Sequence, residues 1–158
     1  MASAGSGPQG QSLSLLLPML STFLEMILPR RRLLIVLAVG WMAVIFLLSA
    51  QTTLQLPHRL FHQDKALHAL LFGVLGFLWA LLVMRDAAPP TLGHALVVTL
   101  LVMGYGGLDE YHQSFVPGRT PDILDLAADT AGGLLSASLV LFMLRRGLRQ
   151  GGYRQRNT

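Results

Sequence analysis

The stretch LLIVLAVGWMAVIFLLSA, residues 33–50, carries no charged side chain and a single hydroxyl side chain. A helix rises about 1.5 Å per residue, so crossing a hydrocarbon layer about 30 Å thick takes about 20 residues. Inside that layer the backbone can bond only to itself, which favours a helix. We therefore predict that this stretch is a membrane-spanning helix.

Three further apolar runs of similar length follow it. The chain has 158 residues, 53% of them hydrophobic and only 13% charged, a composition typical of membrane proteins. The last run contains two aspartates but still has the length of a span. The runs are residues 66–84, 92–108 and 123–144. We predict an all-α membrane protein with one domain, a bundle of four transmembrane helices over residues 30–146.

The basic residues predict the orientation of this bundle. Of the twelve lysines and arginines, nine precede the first run, separate the second from the third, or follow the fourth. The positive-inside rule then places both termini in the cytoplasm of a multi-pass protein. Because topology accounts for the net charge of +4, we expect the lipid bilayer, and no nucleic acid, as the partner. The absence of cysteine excludes disulfides, thiolate metal sites and thiol nucleophiles.

The two ends of the chain extend beyond this domain. Residues 1–29 are predicted to be a partly disordered extension, in which polar residues recur at helical spacing over 12–28; this favours a helix lying in the membrane interface over a fifth span. Met26 is an alternative start, from which the chain would resemble a signal peptide. The apolar core is long for a signal peptide, so we expect the first span to be retained. Residues 147–158 are predicted to be a basic cytoplasmic tail.

Acidic residues concentrate on the side opposite the cytoplasm. The segment DEYHQSFVPGRTPDILDLAAD, residues 109–129, holds five of the eight acids in the chain, and Asp64 is a sixth on that side. Only three basic residues accompany them. The positive-inside rule does not explain this excess, because acids contribute little to it. The acids therefore need a separate explanation.

Spacing places several of these side chains on common helix faces. Asp64, His68 and Phe72 follow at four-residue intervals, so one helix face presents an acid, a histidine and an aromatic ring. Asp109 and Gln113 are also four residues apart where the third span ends. The residues from Asp109 to the next span, including His112, are predicted to form a loop.

The start of the last span raises the main question. Thr120 is predicted to cap this helix and Pro121 to be its first residue, which would place Asp122 favourably in the helix dipole. Asp125 and Asp129 lie on one face further along, and Asp129 is about 10 Å deeper than Asp122 at the helical rise. An acid at mid-membrane costs about 2.5 to 3.5 kcal/mol. An interaction must offset that cost for Asp129.

Three explanations are open for Asp129. Its carboxyl group is protonated, it pairs with Arg119 or Lys65, or a divalent cation such as Mg²⁺, Ca²⁺ or Mn²⁺ bridges several carboxylates. We favour a site for a ligand or a cation over structural ion pairs alone, because intramembrane acids usually mark function. No catalytic residue is assigned.

Two short patterns predict how the chain turns and how its helices pack. The sequence Val-Pro-Gly before Arg119 is typical of a tight turn, which can direct the guanidinium toward the acids or toward a lipid phosphate. Small residues at four-residue spacing in the last span predict close helix packing, as do three glycines in the third span. These small residues are Ala128, Gly132, Ser136, Gly104, Gly106 and Gly107.

Two segments closely resemble the VanZ-like family of small bacterial integral membrane proteins. They are DKALHALLFGVLGF, residues 64–77, and DEYHQSFVPGRTPDILDLAADTAGG, residues 109–133. The resemblance covers residues 33–144. The positions that match the family pattern are Asp64, Lys65, His68, Phe72, Asp109, Glu110, Gln113, Phe115, Pro117, Gly118, Arg119, Asp122, Asp125, Asp129, Thr130 and Gly132.

The resemblance implies a protein of the bacterial plasma (inner) membrane and cell envelope. The founding member of the family is associated with low-level resistance to the glycopeptide antibiotic teicoplanin. We expect a polar extracytoplasmic site that binds an envelope lipid or a cell-wall precursor. The alternative is an enzyme acting on a phosphate-bearing envelope lipid, in which Lys65 and Arg119 bind the phosphate and the acids together with His68 transfer protons or hold a cation. Proton or ion transport is a third hypothesis. The predicted site residues are Asp64, Lys65, His68, Asp109, Glu110, Gln113, Arg119, Asp122, Asp125 and Asp129.

Overall fold

The fold is a bundle of four helices. The computed structural model describes residues 31–52, 61–87 and 89–155, with side chains except at 61–63 and 149–155. The helices are α1 (Arg31–Ser49), α2 (Phe61–Met84), α3 (Leu92–Gln113) and α4 (Ile123–Gln155), and the described ranges contain no strand. Each helix is long and apolar enough to span a membrane, which confirms the predicted fold class. The predicted N-terminal interfacial helix lies outside the described residues.

The third helix is longer than predicted. It continues beyond residue 108 to Gln113, so Asp109, Glu110 and His112 are helical, and the prediction of a loop starting at Asp109 was wrong. The prediction followed hydropathy, which ends where the apolar residues end. Backbone hydrogen bonds do not depend on side-chain polarity, so the helix continues into a more polar sequence. α4 likewise continues past residue 144 into the basic tail.

The fourth helix starts two residues later than the capping pattern in the sequence predicted. The backbone N–H of Leu124 donates to the Asp122 Oδ1 at 2.8 Å, so Asp122 caps the helix and Ile123 is its first residue. The predicted cap at Thr120 and first residue at Pro121 were therefore wrong. Asp122 is itself a preferred capping residue, and its own N–H is held by Glu110 at 2.8 Å.

The link between α3 and α4 contains the predicted tight turn. Gly118 has a φ of 82°, the left-handed region that glycine adopts without strain. The backbone N–H of Arg119 donates to the carbonyl oxygen of Val116 at 3.1 Å, which closes the turn. The chain thereby reverses direction immediately above the polar end of the bundle.

Glycines bring α2 and α4 into direct backbone contact. A Cβ atom on Gly76 would lie 2.7 Å from the Cα of Gly133, and one on Gly132 would overlap the carbonyl oxygen of Ala69. The packing role predicted for Gly132 is therefore confirmed. In α3, Gly106 faces α4, whereas a Cβ on Gly104 or Gly107 would meet nothing within 4 Å, so the packing prediction was wrong for these two.

α1 joins the bundle through its apolar face and two hydrogen bonds. Leu34 and Ile45 are fully buried in the common core. Trp41 Nε1 donates to the carbonyl oxygen of Leu71 at 2.9 Å, and the Tyr105 hydroxyl donates to the carbonyl oxygen of Met42 at 2.7 Å. These bonds fix α1 against α2 and α3, which positions the end of α1 beside the polar residues at the end of α3 and the starts of α2 and α4.

Candidate functional site

All ten predicted site residues lie at one end of the bundle. Neighbouring helices run in opposite directions, so the end of α1, the start of α2, the end of α3 and the start of α4 come together there. The residues are Asp64, Lys65 and His68 on α2, Asp109, Glu110 and Gln113 on α3, Arg119 and Asp122 in the link, and Asp125 and Asp129 on α4.

Lys65 joins α2 to the start of α4. Its ammonium group donates to the carboxylates of Asp122 and Asp125 at the same time. Asp125 is buried, and Asp122 is partly exposed. Lys65 therefore neutralises part of this acidic end.

The ion pair with Lys65 acts on Asp122, which lies just outside the fourth span. Hydrogen bonding to the Lys65 ammonium is the largest influence and lowers the pKa of the Asp122 carboxyl below its ordinary value of 3.8. The capping bond from the Leu124 N–H acts in the same direction. Asp122 is therefore ionised at neutral pH.

Asp129 pairs with His68 at the deepest point of the site. His68 Nδ1 lies 3.0 Å from Asp129 Oδ1, and Asp129 has 0% exposure. One of the three explanations left open for Asp129 was pairing with Lys65 or Arg119; the partner found is His68, and Lys65, one turn earlier on α2, pairs with Asp122 and Asp125 nearer the surface. His68 lies one turn deeper, level with Asp129. The Asp129 Oδ2 is buried without a hydrogen-bond partner in the described part of the chain.

Asp109 is held by two side chains. Ser49 Oγ donates to Asp109 Oδ2 at 2.8 Å, and Gln113 Nε2 donates to the same oxygen at 2.9 Å. The Gln113 contact follows from the four-residue spacing noted above. Ser49 was not predicted as a site residue; its only signal was being the single hydroxyl in the first apolar run.

Glu110 lies at the end of α3 where the helix dipole disfavours a negative charge. It lies in the last turn of α3, where the partial negative charge of the helix end disfavours a carboxylate. Its Oε2 accepts the hydrogen bond from the Asp122 N–H, while its Oε1 is buried without a partner within the described ranges. A further positive group near Oε1 would therefore stabilise this carboxylate.

A partly open cavity of about 90 Å³ lies between α1, α2, α3 and the link. Its apolar lining includes Ile45, Leu67 and Leu71. Its polar lining residues are Ser49, Asp64, His68, Asp109, Gln113 and Arg119. The lining is therefore amphipathic, with a single arginine among several acceptors.

Arg119 is available for an incoming group. Its Nε is buried and has no hydrogen-bond partner among the described residues, and no ion pair involving its guanidinium is found in that part of the chain. The turn at Gly118 directs the residue over the cavity. Arg119 as a whole is only partly buried, but its buried Nε gains a hydrogen bond if an anion reaches the guanidinium, so such an anion would be bound well.

Nearby aromatic residues line the site without joining its polar contacts. His112 stacks on Phe46 with ring centroids 4.3 Å apart, and it is helical and partly buried rather than in the predicted solvated loop. The ring of His68 stacks on Phe72 at 6.3 Å, which matches the predicted helix face. The Phe72 ring in turn lies 5.9 Å from the Tyr105 ring, so the aromatic contacts continue from His68 on α2 to α3.

Two groups of three side chains have the spacing of a metal site. In each group one nitrogen or oxygen atom per residue lies within 4.8 Å of the others. One group is Asp64, His68 and Asp125; the other is His68, Glu110 and Asp129, all three of them buried. Both groups share His68, so they represent alternative positions for one ion.

Comparison with known proteins identifies one family. The sequence profile of the VanZ/LLP1 family matches residues 34–145, which covers all of the bundle except the first residues of α1 and the end of α4. No curated protein and no solved structure matches the chain.

Proposed function

Since the chain belongs to the VanZ/LLP1 family, we propose that it binds a phosphate-bearing envelope lipid or a lipid-linked cell-wall precursor in the bacterial plasma membrane. In this proposal the polar end faces away from the cytoplasm and both termini are cytoplasmic, as the distribution of arginines favours. The observation that carries the proposal is Arg119, a cation with a buried Nε that lacks a partner in the described chain and lines the cavity.

The cavity suits the headgroup of a lipid better than a whole soluble molecule. Pockets for drug-sized ligands measure about 300 to 1,000 Å³, whereas this cavity is about 90 Å³. It can hold one polar group while apolar lining residues such as Leu67 and Leu71 contact an attached chain that remains in the bilayer. An amphipathic ligand requires a lining that offers both kinds of contact.

The acids in the cavity narrow the choice of headgroup. Arg119 offers a guanidinium that can grip a phosphate at two oxygens. Asp64 and Asp109 line the same cavity and accept hydrogen bonds, so they suit hydroxyl or ammonium groups. The preferred headgroup therefore carries both a phosphate and hydrogen-bond donors, as sugar-bearing and zwitterionic lipids do.

The test is mass spectrometry of phosphate-bearing envelope lipids retained by the purified protein. We expect the wild type to retain such a lipid and Arg119→Ala to retain at least about tenfold less, because one charge-assisted contact contributes about 1.5 to 3 kcal/mol. Arg119→Lys should keep part of the binding, since it keeps the charge but loses the second hydrogen bond. The matched control is Arg146→Ala, which removes an exposed arginine that lies over the Phe142 ring, far from the site. Equal retention by wild type and Arg119→Ala would overturn the proposal.

A catalytic role is the second candidate, and the His68–Asp129 pair favours it. A carboxylate that holds one imidazole nitrogen orients the ring as a general base, and His68 lines the cavity. Lys65 is engaged by two carboxylates, so Arg119 alone would hold the phosphate. In the same experiment, a mass change in the lipid that is lost in Asp129→Asn would establish an enzyme. Retention without a mass change would favour binding alone.

The family resemblance adds a cellular expectation, a link to teicoplanin resistance. If the bound lipid is a cell-wall precursor, expression of the protein in a susceptible strain should raise the minimal inhibitory concentration of teicoplanin. Arg119→Ala should remove this increase, and Arg146→Ala should keep it. If Arg119→Ala raises the minimal inhibitory concentration as much as the wild type does, resistance does not depend on this site.

A further inference from the structure

The deepest residues of the site have more carboxylate oxygens than hydrogen-bond donors. Asp129 is 0% exposed and Glu110 is 8% exposed. Each carboxylate uses one oxygen: Asp129 Oδ1 on His68 and Glu110 Oε2 on the Asp122 N–H. Asp129 Oδ2 and Glu110 Oε1 are both buried, with no partner among the described residues.

These two free oxygens belong to groups that converge with His68. The three side chains can each present a ligand atom within 4.8 Å of the other two. Leaving one buried acceptor unsatisfied costs about 1 to 3 kcal/mol, and a buried carboxylate costs more. Two buried carboxylates in one such group would also repel each other, so a cation bound among the three side chains would reduce both penalties.

Lys65 is not the cation that compensates Glu110 and Asp129. Its ammonium group lies on Asp122 and Asp125, nearer the surface. The competing group of Asp64, His68 and Asp125 is less suitable, because it includes Asp125, which Lys65 already neutralises. The buried carboxylate oxygens that lack a partner among the described residues therefore belong to Glu110 and Asp129.

We infer that His68, Glu110 and Asp129 bind a divalent transition-metal ion of the Zn²⁺ or Mn²⁺ class. Two carboxylates balance the charge of the ion, and three protein ligands leave a coordination position open. The imidazole favours Zn²⁺ over Mg²⁺ and Ca²⁺, and the two carboxylates suit Mn²⁺, which as a transition-metal ion also accepts an imidazole ligand. His68 lines the cavity, so an ion can enter from it.

The existing hydrogen bonds already orient the three ligands. The Asp122 N–H fixes Glu110 from the start of α4, and Asp129 fixes the imidazole of His68. Partners of this kind, which hold the ligands in place, usually change metal affinity by about 10- to 100-fold. The site thus takes one ligand from each of α2, α3 and α4, and the ion would join the three helices.

The test uses the full-length protein in detergent with Zn²⁺, Mn²⁺, Mg²⁺ and Ca²⁺ each added alone, without lipid. We expect calorimetry and elemental analysis to find one equivalent of Zn²⁺ or Mn²⁺, bound more tightly than Mg²⁺ or Ca²⁺. Glu110→Gln and Asp129→Asn preserve side-chain size, and each should weaken binding at least about tenfold. Asp86→Asn, at the opposite end of the bundle, is the control and should bind as the wild type does.

Folding is checked independently by the unfolding temperature. The added ion should raise that temperature for wild type and Asp86→Asn, and not for Glu110→Gln or Asp129→Asn. Absence of binding in the wild type, or binding that persists in both of those variants, would overturn the inference. Loss of binding in Asp64→Asn with retention in Glu110→Gln would also overturn it, by assigning the ion to the other group. None of these results depends on whether a lipid binds at Arg119.

Discussion

At the scale of single residues, Gly106 determines how much room Asp129 has. A Cβ atom on Gly106 would lie 2.9 Å from Asp129 Oδ2 and 3.1 Å from Leu126 Cδ1. The missing side chain on α3 therefore makes space for the carboxylate on α4. Gly104 and Gly107, within the same turn of α3, have no neighbour within 4 Å of such an atom.

Gly106→Ala should therefore destabilise the protein, whereas Gly104→Ala and Gly107→Ala should not. Overpacking of this kind costs about 1 to 3 kcal/mol. At the two open positions alanine should be neutral or stabilising by up to about 1 kcal/mol, because it has the higher helix propensity. Denaturant unfolding of the three variants in the same detergent measures the difference. Equal stabilities would show that Asp129 can move away from the new methyl group.

Residue patterns predicted the site's composition better than its pairings. The four-residue spacing predicted the faces of Asp64, His68 and Phe72 and the contact of Asp109 with Gln113. It did not predict that His68, rather than Lys65, meets Asp129. Such pairings depend on the axial shift of α2 relative to α4. Residue spacing within one helix does not predict this shift.

At the scale of elements, the contact between α2 and α4 sets that relative position. The two helices touch through glycine backbones at Gly76 and Gly133, so no flexible side chain lies between them to absorb a displacement. The pairs Lys65–Asp125 and His68–Asp129 connect the same two helices at one end. The glycine contact therefore fixes the distance across which both polar pairs form.

Gly76→Ala should push α2 away from α4 and loosen both polar pairs. Its Cβ would lie 2.7 Å from a backbone atom of Gly133, which cannot rotate away. We expect the free energy of unfolding to fall by about 1 to 3 kcal/mol. Gly40→Ala is the matched control, because a Cβ there meets nothing within 4 Å. If both variants unfold like the wild type, the close helix contact does not limit stability.

Element boundaries were predictable only where composition changes sharply. The first helix ends at Ser49, one residue before the predicted end at residue 50. The third helix passes the end of its apolar run by more than a turn, because Asp109 and Glu110 find partners inside the bundle. A hydropathy profile predicts which residues lie in the apolar part of the membrane. The end of a helix is set by its backbone hydrogen bonds, so the two boundaries need not coincide.

At the scale of the whole molecule, the two ends of the bundle differ in charge. The polar end holds six acids, while Arg85, Arg145 and Arg146 lie at the other end. Arg145 Nε donates to the carbonyl oxygen of Pro90 at 2.9 Å, which joins α4 to the link between α2 and α3. This asymmetry is the basis of the proposed orientation.

Single cysteines can test the orientation without interference, because the chain has none of its own. Thr120 and Gly147 are exposed at opposite ends. We expect Thr120→Cys to react with a membrane-impermeant maleimide in intact spheroplasts, and Gly147→Cys to react only after the membrane is opened. The reverse pattern would place the acidic site in the cytoplasm and contradict the proposed access of an extracytoplasmic ligand.

The length of α4 also limits where the protein can sit in the bilayer. Its 33 residues extend about 50 Å, against a hydrocarbon layer of about 30 Å. Asp125 and Asp129 keep the first turns near one surface, so the excess length projects from the other surface as a continuous rod. Arg145 and Arg146 then lie at the depth of the lipid headgroups, where each contributes about 1 kcal/mol of attraction to an anionic leaflet. The depth at which the acidic site lies would thus respond to the lipid composition of the opposite leaflet.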